Sequence, residues 1–137
     1  MTSSAFFIIA AILNFLAGLA HYACVVVGAR GFELLGAGEP LVSMARQGHW
    51  YPAFIATVIG SVLCSWGVYA LAGARVIGPL PWQKWVLMAA TAIYLLRAVA
   101  FPLLKPAFPD NSDLFWWVSS GLCLVIGVCL LLGLLLD

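Results

Sequence analysis

Three stretches of this chain carry no Asp, Glu, Lys or Arg: Thr2 to Ala29, Gln47 to Ala74 and Leu114 to Leu136. A fourth, Trp85 to Leu104, is broken only by Arg97. A helix needs roughly 20 apolar residues to cross the hydrocarbon core of a bilayer, and each run is of about that length. The composition agrees, with 65% hydrophobic and 8% charged residues, against about a quarter charged in soluble domains. The expected fold is therefore all-α: an integral membrane four-helix bundle, a single transmembrane domain over 1–137. Its helices are expected at about 5–28, 50–73, 82–104 and 114–136, with a short interfacial or re-entrant helix between the first two.

Local signals place the boundaries. His49-Trp50-Tyr51-Pro52 opens the second span with proline in its first turn, where a missing N–H costs nothing. Pro102, Pro106 and Pro109 stop the third span around 101–104, and Asp113 is the expected N-cap of the fourth. Trp50, Tyr51, Trp116 and Trp117 are expected to form one interfacial aromatic belt, and Trp66, Tyr69, Trp82 and Trp85 the other. The first apolar run lacks a basic n-region and is expected to be retained as a span.

Four crossings put both termini on one side. Arg75 and Lys84 in the second connection, which holds no acid, favour cytoplasmic termini, whereas Arg30 and Arg46 in the first connection argue for the opposite orientation; a bacterial inner membrane is the expected location. Small residues at three- and four-residue spacing, Thr57, Gly60, Ser61, Cys64, Ser65 and Gly67 on the second span and Ser119, Ser120, Cys123 and Gly127 on the fourth, suit close helix packing. They also suit a homodimer. The other expected partner is membrane lipid; nucleic acid is not expected, because the basic residues are scattered singly.

The first connection, residues 29–49, exceeds the about 12–15 residues beyond which loops usually bind something or are disordered. Its Phe32, Leu34, Leu35, Leu41, Val42 and Met44 are too apolar for disorder, and Glu39-Pro40 opens a segment able to make two helical turns before Gly48. This segment is expected to fold back as a cap, gathering Arg30, Glu33, Glu39, Arg46 and His49 at one face.

Two side chains from the spans are expected to meet the cap from below. Arg97 sits in a span, which costs about 2.5–3.5 kcal/mol on insertion scales, so it should face the bundle interior or snorkel. Either Glu33, Glu39 or loop carbonyls satisfy it and pin the cap, or it anchors a carboxylate or phosphate on a ligand. His21 is either an interhelical hydrogen-bonding group or a proton-transfer, ligand or haem-binding group, with Asn14 and Gly18 on the same helical face. Asn14 reads as an interhelical contact, and Tyr94 and Thr91 lie on the turns below Arg97.

The candidate ligand-binding set is thus Arg97, His21, Glu33, Glu39, Asn14, His49, Arg46 and Tyr94. Cys24, Cys64, Cys123 and Cys129 have no CxxC spacing and read as packing residues. No metal site is expected, and haem held by His21 and His49 is a minor alternative to having no cofactor. The GxSxG, HExxH, P-loop and EF-hand signatures are all missing. The first function class is a ligand-binding or transport protein with a polar site beneath the 30–50 loop, taking a small anionic or amphipathic ligand. A non-enzymatic accessory or assembly subunit is the second. A membrane enzyme acting on a lipid or quinone-like substrate is the third.

Overall fold

The computed structural model describes residues 1–137 and is all-helical. Its elements are α1 (Ser3–Val27), α2 (Ala29–Leu34), α3 (Glu39–Arg46), α4 (Trp50–Gly73), α5 (Gln83–Val99), α6 (Phe101–Leu104), a 3₁₀ turn (Lys105–Ala107) and α7 (Asp113–Leu136). Three helices, α1, α4 and α7, are long and apolar enough to cross a membrane, and α5 with its bent continuation makes a fourth candidate. These spans point to a membrane protein.

α1 packs between α4 and α7, and α5 closes the bundle against α7, touching α4 more lightly. Small residues make the tight crossings. At Gly18 an added Cβ would lie 2.5 Å from the Cys64 sulfur and 3.0 Å from the Gly60 carbonyl, so α1 and α4 approach nearly backbone to backbone. At the opposite end the Phe7 ring, 1% exposed, fills the slot between Gly73 and Gly133.

The small-residue stripe expected on the second span divides between two faces. Gly60, Cys64 and Gly67 meet α1, whereas Thr57, Ser61 and Ser65 are exposed. The stripe on α7 lies against α5 at Gly127 and Ser120.

Helix ends follow local chemistry. Thr2, His49 and Ser112 cap α1, α4 and α7 by accepting the N–H of Ala5, Tyr51 and Phe115. Asp113, expected as the cap of the last helix, is instead its first residue. There its carboxylate faces the positive end of the helix dipole and pairs with Lys105.

The third span also departs from the expected continuous 82–104 helix. It breaks at Ala100 and turns by 63° into α6 and the 3₁₀ turn. Pro102 has no N–H to give the Ala98 carbonyl, and its fixed φ suits the first turn of a new helix.

Residues 29–49 form a cap of two short helices in place of the single one expected. Phe32 and Val42 pack on Cys24 and Ala56, which seats the cap on the adjoining ends of α1 and α4. Gly36 (φ +68°) makes the turn between α2 and α3, lies against the Phe115 ring and accepts a hydrogen bond from the Asn111 side chain at 3.3 Å. The cap therefore reaches over to the 108–112 connection and the first turn of α7 as well.

Candidate functional site

The eight residues singled out from sequence fall into separate groups. Glu33, Glu39 and Arg46 form one group on the outer surface of the cap, where Arg46 bridges Glu39 at 3.2 Å and Glu33 at 3.4 Å. All three side chains are more than half exposed. The expected contact between these acids and Arg97 is absent, because α2 and α3 turn both carboxylates outward onto their own arginine.

His49 is a backbone cap. Its Nδ1 accepts the Tyr51 N–H at 3.1 Å, and its ring stacks on Trp50 at 5.7 Å. His21 is half-buried, and its Nδ1 lies 2.8 Å from the Ala17 carbonyl. A carbonyl only accepts, so Nδ1 carries the proton and a neutral ring keeps Nε2 as a lone acceptor.

The second group lies in the core. Tyr94 on α5 donates to Asn14 Oδ1 on α1 at 2.6 Å, and Asn14 Nδ2 donates to the Ala10 carbonyl at 2.8 Å. Asn14 is fully buried, and the Tyr94 ring meets Trp66 of α4 edge-on at 5.5 Å. One polar pair thus ties α1 to α5, two helices that share little other contact.

The third group centres on Arg97, in the last turn of α5, where the negative end of the helix dipole favours a cation. Its guanidinium donates from Nη1 to Ser120 Oγ and from Nη2 to Ser119 Oγ, both at 3.2 Å. Its Cζ lies 5.3 Å from the centroid of the Trp116 ring, a cation–π distance. Trp116, Ser119 and Ser120 occupy successive positions of one face of α7, the i, i+3, i+4 pattern of a helix surface.

Trp116 was expected in an interfacial belt, but it is 3% exposed and packs against Phe108 and Phe115. Trp50 and Trp117 at one end and Trp82 and Trp85 at the other remain exposed, as a belt requires. The inward turn of Trp116 leaves its Nε1–H buried with no hydrogen-bond partner.

The charge around Arg97 is also uncompensated. Glu33 and Glu39 serve Arg46, Asp113 serves Lys105, Asp137 serves Arg75, and Asp110 is exposed in a connection. No carboxylate faces the half-buried guanidinium, and only two of its five N–H groups are used on side chains.

Apart from these groups, the outer face of α4 toward α5 bears an open groove of about 470 Å³, lined by Thr57, Ser61, Ser65, Trp66, Tyr69 and Val86 among others. Thr57 and Ser65 return their hydroxyls to carbonyls of their own helix, and Ser61 pairs with Tyr22 at 2.8 Å. Arg97 does not line it.

Comparison of the chain with models of protein families, with curated proteins and with solved structures finds no match.

Proposed function

We propose that this chain is a small membrane protein that binds, or carries across the bilayer, a ligand bearing an anionic group, with Arg97 as the anchor beneath the 29–49 cap. One observation carries this reading: a half-buried guanidinium that no carboxylate of the chain neutralises. A charge within a span is expensive, and groups of this kind are functional candidates by default. Two serine hydroxyls and an aromatic face hold the side chain in one pose, which pre-organises the remaining donors. Asn14 and Tyr94 are assigned to the floor of the site, and His21 is a further acceptor on α1.

The experiment is native mass spectrometry of the protein extracted gently from its own membranes, beside Arg97→Gln. A small mass retained by the wild type and lost in the variant is the expected outcome. Equal spectra with no retained mass sink the reading.

A second reading, an accessory or assembly subunit, draws on the self-contained ion pairs of the cap, which close that surface without Arg97. A stoichiometric companion protein co-extracted from native membranes, with no bound small molecule, is its signature.

A further inference from the structure

We propose that the indole N–H of Trp116 is the second donor of an oxyanion site at Arg97, so that the occupant presents at least two acceptor oxygens, as a carboxylate or a phosphate does. The inference rests on the ligand-binding reading of Arg97 given above and adds the class of ligand and a residue that directs it.

Three independent features converge. The first is an unmet donor. Trp116 is 3% exposed, and its Nε1 is the buried side-chain polar atom left without a partner. A buried N–H without an acceptor is costly, and such groups are rare in folded proteins. The second is proximity, since the ring that carries this N–H is the one the Arg97 guanidinium covers at 5.3 Å. The third is charge. Every acid but the exposed Asp110 is paired with another cation, so the fold supplies no anion for Arg97.

Donors in excess, a net positive charge and no carboxylate of the chain's own define the missing partner as an anionic acceptor. Ser119 and Ser120 fit the same picture. Their oxygens accept from two guanidinium nitrogens, which fixes the plane of the fork and leaves its other N–H groups for the ligand.

Two sources can supply this chemistry: the phosphate of a lipid headgroup, or a free carboxylate or phosphate. The test separates them. Protein labelled with ¹⁵N-tryptophan is placed in maltoside micelles, which contain neither group. The Trp116 indole resonance is assigned by its loss in Trp116→Phe. Acetate, inorganic phosphate and a short-chain phosphatidic acid are then titrated in separate samples.

The expected result is a saturable downfield shift of the Trp116 indole proton with at least one probe. A response to phosphatidic acid alone identifies a lipid headgroup, and a response to acetate or phosphate identifies a free anion. Binding of that probe, followed by equilibrium dialysis, should weaken about tenfold in Trp116→Phe, which keeps an aromatic face at this position and removes the N–H together with the five-membered ring that bears it. It should also weaken in Arg97→Lys, which keeps the charge and loses the fork.

Binding that is lost in Arg97→Gln but equal in the wild type and Trp116→Phe, with an unmoved indole resonance, overturns the role of Trp116 while leaving the Arg97 anchor standing. No binding of any probe by the wild type overturns the oxyanion assignment. The native mass spectra then decide separately whether Arg97 holds another kind of ligand.

Discussion

The cap and the bundle interior handle polar groups in opposite ways. In the cap, Arg46, Glu33 and Glu39 share ion pairs at 3.2 and 3.4 Å with more than half of each side chain in contact with solvent. In the interior, Asn14 and Tyr94 share one hydrogen bond at 2.6 Å, and Asn14 is completely buried. Exposed ion pairs contribute roughly 0–1 kcal/mol and weaken with salt. A buried donor deprived of its acceptor costs about 1–3 kcal/mol. The region richest in charge is therefore not the one where polarity most constrains the fold.

Substitutions can break or sharpen this contrast. The largest effect is expected for Gly60→Leu, because even a Cβ there would lie 2.8 Å from the Tyr22 ring and 3.0 Å from the Gly18 carbonyl. A loss of about 3 kcal/mol, or no folded species, is expected in a detergent unfolding titration. Next comes Asn14→Ala, which leaves the Tyr94 hydroxyl without its acceptor and should lower the unfolding free energy in the same titration by about 1–2 kcal/mol. Arg46→Gln removes both cap ion pairs and should cost less than about 1 kcal/mol, with the residual stability less sensitive to salt. If Arg46→Gln proved as costly as Asn14→Ala, the two regions would not differ as described.

The apolar runs made the three long helices α1, α4 and α7 legible, because span length is a property of consecutive residues. The helix at Glu39–Arg46 was legible too, from Glu39-Pro40 at its start and Gly48 past its end. Features that depend on which neighbour a side chain faces were not. Trp116 stands beside Trp117 near a span end, where an interfacial tryptophan and a buried one read alike, and α7 turns one inward and leaves the other 67% exposed.

Ser119 and Ser120 were read only as small packing residues, because nothing in a linear sequence pairs them with a residue 22 or 23 positions away. Glu33 and Glu39 were natural counter-charges for Arg97 by proximity of their segments. The folding of the cap into two short helices brings both carboxylates to Arg46 instead. The break at Ala100 was signalled by Pro102 but placed a few residues late, since a proline can start a turn as readily as stop one.

The bend after Val99 has a consequence for the surrounding lipid. With 17 residues, α5 rises only about 26 Å, less than the roughly 30 Å of a typical hydrocarbon core, whereas α1, α4 and α7 have 24 or 25 residues each. In a bilayer, this hydrophobic mismatch is relieved by local thinning or by the turned segment Phe101–Ala107 lying along the interface. Either response brings the membrane interface close to the last turn of α5, the turn that carries Arg97.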